Sequence, residues 1–333
     1  MREALAASAA AVLLTTTACS SEPIDPRTPP VTTPPATPTT TPTTTPTTTP
    51  TPTSAADPET GPPEPAPRFD ADLAFETVRD LAVGIGPRLA TGPAYRRAVA
   101  LLSARLESGG YDVARQRFPV PGGDSWGVPV EAGRSSNVVA TPSSFDPTRP
   151  YAVVGAHLDT VAVAPGAEDN ASGVAVVMEL ARALPQTGLP VVLVLFGGEE
   201  PRGPGDLHHF GSKHYVAQMS AEERDNLVAM VSLDRVGVGR AVPVSTFDGT
   251  PTRVRDDLAA AARRLDIPTE VGFNTTSDHE SFAVEGLPAA RVGSVDYEAY
   301  HSADDLPRVV DRAQLDRVGR LVSAWVDGLR RGR

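Results

Sequence analysis

Residues 155–173 read GAHLDTVAVAPGAEDNASG, and the rest of this 333-residue chain is organised around them. They follow the apolar run 151–156 (YAVVGA), which reads as a buried strand, and they lead into 171–184, which carries a helical pattern. His157 and Asp159 lie two apart at the end of the run, so a strand would project both from the same face. One could bind a metal while the other holds it, because a ligating imidazole usually donates its second ring nitrogen to a carboxylate. Asp169 arrives after a Gly/Pro/Ala-rich loop that can fold its carboxylate back over the strand end. The stretch has the residues of half a metal site.

Working outward, the run 191–196 (VVLVLF) is apolar at every position, as expected of a central parallel strand covered on both faces. Strand 151–156, helix 171–184 and strand 191–196 then form a right-handed βαβ unit. Helices are predicted at 69–83, 95–107, 251–265 and 312–329, and strands at 111–119, 136–141, 228–234 and 289–292. This alternation predicts an α/β fold, a mostly parallel central sheet sandwiched by helices, with ligands at the carboxyl ends of the strands.

The other half of the site falls at those ends. Glu199 and Glu200 follow the buried strand at once, and two unpaired glutamates in a sheet-top cleft call for a cation between them. Asp234 ends the next strand, and His301, in YHSADD (300–305), precedes the last helix. Two histidines and four carboxylates suit two zinc ions sharing one carboxylate. Such a pair can hold a water and polarise a carbonyl together, which suits amide hydrolysis.

The formal net charge of −11 argues against a nucleic-acid backbone as partner. Residues 1–19 read as a signal peptide, with an apolar stretch (4–18) too short to span a bilayer, and end in the lipobox-like TTAC. Cys19 is the only cysteine, so acylation accounts for its placement better than a disulfide does, and membrane contact would run through that lipid alone. Residues 20–67 are rich in Thr and hold about half of the 34 prolines; they read as a disordered, semi-stiff stalk. The remainder, 68–333, is long enough for one large domain. The expected location is the outer face of the cytoplasmic membrane, or the exterior.

Taken in order, Gly86-Pro87-Arg88, Gly110-Tyr111-Asp112-Val113, Ser136-Asn137-Val138-Val139, GAHLDT (155–160), EDNASG (168–173), FGGEE (196–200), Gly211-Ser212 with Tyr215, SLDRVG (232–237), SDHESF (277–282) and YHSADD resemble the zinc-dependent exopeptidases of the M28 aminopeptidase family. The short gap between His157 and Asp169 sets the chain apart from the M20 peptidases. The resemblance implies a dizinc exopeptidase that removes N-terminal residues from peptides. It implies one zinc on His157, Asp169 and Asp234 and a second on Asp169, Glu200 and His301, with Asp169 bridging. It further implies that Glu199 is the general base, that Tyr300 stabilises the oxyanion, that Asp159 holds His157, and that the Asp169–Asn170 peptide is often cis. Glutaminyl-cyclase-like acyl transfer on one zinc, carboxypeptidase activity, and peptide binding without catalysis are the alternatives. The loop 201–210 (PRGPGDLHHF) is longer than the family's usual link, and its His208 and His209 are expected to be solvated. Asp278 and His279 are expected to support the site without binding metal, and the Asn170 sequon is discounted.

Overall fold

The sheet runs through the molecule as a partition, and its alternating side chains feed two separate cores. The computed structural model describes residues 67–331, all within the unit Pro62–Arg333. The signal peptide, Cys19 and nearly all of the stalk lie outside the described residues. In chain order the elements are α1 (Ala71–Arg79), α2 (Pro93–Ser108), β1 (Tyr111–Val120), β2 (Gly123–Ser125), β3 (Val128–Val130), β4 (Gly133–Pro142), β5 (Tyr151–His157), α3 (Gly173–Ala183) and β6 (Val191–Phe196). There follow α4 (Phe210–Gln218), α5 (Ala221–Asn226), β7 (Leu227–Leu233), β8 (Val242–Thr246), α6 (Arg253–Arg264), β9 (Thr269–Phe273), α7 (His279–Ala283), β10 (Ala289–Val292) and α8 (Arg312–Arg331).

Eight strands form one sheet in the order β1-β4-β6-β5-β7-β10-β8-β9, and β2 and β3 make a separate hairpin. The centre is parallel, with β6, β5, β7 and β10 running together. Antiparallel joins at β1–β4, β4–β6 and β10–β8 make the sheet mixed. The expectation of an α/β sandwich holds, with a less uniform sheet than the helix–strand alternation predicts.

Every residue of β5, β6 and β7 is buried. Alternation divides them: Val154, Leu193, Leu195 and Val231 face the core under α1, α2, α3, α6 and α8, while Val153, Val194, Phe196 and Met230 face the smaller core under α4 and α7. With both faces covered, these strands need no polar side, which is why their sequences read as unbroken apolar runs. Local signals close the helices: Asp70 caps α1, Pro93 opens α2 at its first turn, and a capping box of Ser220 and Glu223 starts α5. Among the described residues no helix is long and apolar enough to cross a membrane.

Candidate functional site

The parallel strands deliver their carboxyl ends to one edge of the sheet. β5 ends on His157, the turn after β6 carries Glu199 and Glu200, the residue after β7 is Asp234, and the loop after β10 brings His301. Asp169 sits in the tight turn Ala167–Ser172 just ahead of α3, and its peptide bond to Asn170 is cis. All six side chains are buried. They line a cavity of about 480 Å³ with Trp126, Phe247 and Tyr300 among its walls.

Within the cavity the residues fall into two triads. Nε2 of His157 lies 3.2 Å from Oδ1 of Asp169 and 3.5 Å from Oδ1 of Asp234. Nε2 of His301 lies 3.1 Å from Oδ2 of Asp169 and 3.2 Å from Oε2 of Glu200. Asp169 therefore turns one oxygen to each triad. Ligands of a tetrahedral zinc site with bonds near 2.0–2.1 Å stand about 3.3 Å apart, so these spacings suit the edges of such a site. Asp234 Oδ1 and Glu200 Oε1 are buried and have no hydrogen-bond partner. Nδ1 of His157 faces the carbonyl oxygen of Asp159 at 3.2 Å, and a carbonyl can only accept. The proton thus belongs on Nδ1, which leaves Nε2 bare toward the carboxylates.

The electrostatics tell the same story. Burial, then the charge of Asp169, pushes the Glu200 carboxyl up to about 8. Against burial, positive charge at the Nε2 edges of His157 and His301 would hold Asp169 down at about 2, charge that the imidazoles supply only when protonated and that a cation supplies with Nε2 bare. Four crowded buried carboxylates need positive charge, and divalent cations supply it compactly. The residues present fit two metal ions.

Asp159 corrects the expected geometry. The strand ends at His157, so Asp159 lies in the following loop and its carboxylate stands 4.0 Å from the imidazole. The carboxylate instead accepts the backbone amides of Glu199 (3.1 Å) and Glu200 (3.3 Å), while the main-chain carbonyl orients the ring. Asp159 holds the glutamate turn and His157 by different atoms.

Other supports carry no obvious motif logic of their own. Arg291, buried on β10, pairs with Asp234 Oδ2 at 2.8 Å and so leaves Oδ1 for the cavity. Asp305 accepts the amides of Glu168 (2.9 Å) and Asp169 (3.1 Å) and fixes the bridging turn. Asn170 is fully buried: its Nδ2 donates to the Leu233 carbonyl, and its Oδ1 accepts the amides of Gly173 and Arg235. Its sequon is unavailable to a glycan. A Cβ on Gly173 would meet the Leu233 carbonyl oxygen at 2.4 Å, so only glycine lets α3 start this close to β7.

Tyr300 is 38% exposed, stacks on His301 and lies under the Arg235 guanidinium, which is 4.6 Å from its ring centre. Burial, then the Asp169 charge, raises the pKa of its phenol, which stays protonated and able to donate. Asp278 and His279 lie outside both triads; His279 Nε2 faces the Asn274 carbonyl at 2.8 Å. His209 does not behave as a solvated loop residue, whereas His208 stays partly exposed. His209 is buried, with Nε2 3.2 Å from Glu199 Oε1 and Nδ1 3.1 Å from Glu280 Oε2, and both histidines line the cavity. Trp126, at the tip of the β2–β3 hairpin, packs edge-on to His301 at 4.3 Å, a contact no local pattern announces.

The chain matches the model of peptidase family M28 over residues 137–326. It is similar to aminopeptidase YwaD of Bacillus subtilis, with 31% identity over 186 residues, covering 52% of this chain and 40% of that protein. The chain spans about half the length, or less, of the curated relatives it matches. Among solved structures it resembles BSAP, a zinc aminopeptidase from Bacillus subtilis, at a TM-score of 0.69 and 20% identity, over 78% of this chain and 95% of that one. Glutaminyl cyclase of Bacteroides thetaiotaomicron, bound to N-acetylhistamine, superposes at 0.67 and 20% identity, over 78% of this chain and 98% of that one. At these identities the structural likeness shows the fold.

Proposed function

The chain belongs to peptidase family M28, and from that premise we propose that it is a dizinc exopeptidase that releases N-terminal residues from peptides with a free amine. The observation that carries this reading is the sharing of Asp169, one oxygen to each triad; Glu199, which also stands close to His157 and Glu200, belongs to neither triad that shares Asp169. His157, Asp169 and Asp234 would hold one ion, and Asp169, Glu200 and His301 the other. When bound, the two ions would polarise the scissile carbonyl and favour ionisation of water.

The protein's own residues do the rest. Against burial, His157 and His209 keep the Glu199 carboxyl below its ordinary value, so it is ionised at neutral pH. It takes a proton from the attacking water and passes it to the leaving amine as the C–N bond breaks. One water is consumed, and the products are a free amino acid and a peptide shortened by one residue. The Tyr300 hydroxyl donates to the oxygen that gains charge as the carbonyl is attacked.

The test is release of p-nitroaniline from aminoacyl substrates by residues 68–333, before chelation, after chelation and after zinc is restored. Zinc-restorable turnover that disappears when the amine is acetylated supports the reading. One zinc per chain, with pyroglutamate formed from N-terminal glutamine, would replace it with cyclase chemistry. We also propose export and lipid attachment at Cys19, on the strength of residues 4–19. A diacylglyceryl adduct on Cys19 in the envelope fraction supports that; an unprocessed cytoplasmic chain counts against it.

A further inference from the structure

His209 has no place in either triad, yet it is buried between two carboxylates in the cavity wall. We infer that His209 is a positioning residue that grips the Glu199 carboxylate by Oε1 and leaves Oε2 as the oxygen that meets the reacting water. The inference rests on the reading of Glu199 as the base.

The geometry assigns the two oxygens different surroundings. Oε1 lies 3.2 Å from His209 Nε2, whereas Oε2 points toward the triads, 4.0 Å from His157 Nε2. A glutamate side chain left to itself samples several rotamers, and a base must be held within a fraction of an ångström to work. His209 is itself fixed by its backbone, and its ring is flanked by charge on its other edge, where Nδ1 forms no hydrogen bond among the described residues. Its Nδ1 faces Glu280 Oε2 at 3.1 Å, and its amide donates to the carbonyl of Glu199 at 3.0 Å. The next amide, of Phe210, donates to the Gly198 carbonyl at 2.8 Å, and Lys213 N donates back to the His209 carbonyl at 3.0 Å. These bonds fix a residue whose φ of 55° lies in the left-handed region that few non-glycine residues adopt. The loop that begins at Pro201 is thereby folded back, with Arg202 N on the Leu207 carbonyl, until His209, next to its end, touches Glu199, two residues before its start. This fold-back is what brings an imidazole to that spot.

The clamp predicts how three variants of the zinc-loaded chain will differ. His209→Ala should lower kcat on the order of 100-fold, the scale on which loss of alignment acts, with KM and zinc content unchanged. His209→Gln places an amide nitrogen near the Nε2 position and should recover roughly tenfold of that loss, whereas His209→Asn, too short to reach, should not. A readout free of turnover comes from the ring signals of the 15N-labelled histidines. The chain has only 6 histidines, and the signal absent from His209→Gln identifies His209. Glu199→Gln should shift that signal in otherwise unaltered protein. If no peptide or glutamine substrate is turned over, the assigned activity fails while the ring signal still decides the clamp. The clamp is overturned by full kcat in His209→Ala, by equal activity of the Gln, Asn and Ala variants, or by a His209 signal indifferent to Glu199→Gln. A third equivalent of zinc, lost in His209→Ala, would also overturn it, because His208, His209 and Glu280 stand close enough to bind an ion.

Discussion

Replacing Asp159 by Asn separates the two jobs that its carboxylate and its carbonyl perform. In the native protein Oδ1 and Oδ2 each accept a backbone amide, from Glu199 and Glu200, in a fully buried setting. Hydrogen bonds to a charged group contribute about 1.5–3 kcal/mol each, and an orphaned buried donor costs about 1–3 kcal/mol. Asn keeps one acceptor oxygen and turns an NH₂ group toward the other amide, so one bond is lost and two donors face each other. The expected destabilisation is therefore about 3–5 kcal/mol, measured by urea unfolding of zinc-replete protein. Because the turn carries Glu199, kcat should fall as well. The His157 ring should be spared, since its Nδ1 partner is the main-chain carbonyl, which the substitution leaves in place. The Nδ1 proton signal of His157 should thus survive in Asp159→Asn. Near-native stability and kcat, combined with loss of that signal, would refute the division of labour and return the carboxylate to the imidazole.

Three other outcomes can be checked independently. Glu199→Gln should cut kcat by about 10²–10⁴, the range of a lost general base, while atomic absorption still finds the same zinc content. Arg291→Met strips Asp234 Oδ2 of its buried partner, and such a loss costs about 3–5 kcal/mol; weaker zinc retention in chelator competition together with a lower unfolding midpoint is expected, and unchanged values of both would remove Arg291 from the site. Burial, then the Arg291 charge, holds His279 down at about 4, so between there and 6.5 the unfolded chain takes up a proton that the native chain refuses. The contribution of His279 to stability should accordingly be complete above pH 6.5 and fall by about 3 kcal/mol as pH drops toward 4. His279→Gln should flatten that part of the stability curve relative to the unaltered protein, and parallel curves would contradict the assignment.

What the sequence revealed and what it hid follow from the range of the forces involved. The strands at 151–157 and 191–196 announced themselves because both faces are buried, and ligands at their ends could be read from position alone. β9 gave no such signal: its residues are only partly covered or exposed, as suits the edge of the sheet. β8 carries Pro243, which disguises it, and the short helices α4 and α7 lack a clear apolar stripe. Asp159 orients His157 by its carbonyl and not its carboxylate because strand alternation stops at His157, where the chain leaves the sheet. His209 is hidden for a different reason: a loop's polar composition says that it crosses the surface, not where its far end returns. One clue was available in Arg291. A lone charge in the apolar run AARV needs a buried counter-charge, and Asp234 on the neighbouring strand's end supplies it.

The side chain of Asn170 has a consequence for how this protein can change. By bonding at once to Leu233, Gly173 and Arg235, it makes the ends of two chain segments some 65 residues apart into a single mechanical part. Asp169 rides on one side of that joint and Asp234 on the other. Neither carboxylate can drift without pulling its neighbour, so the spacing of the first triad is inherited as one unit. Variation can enter through the hairpin, the 201–210 loop and the aromatic rim, while the joint beneath them tolerates no piecemeal revision.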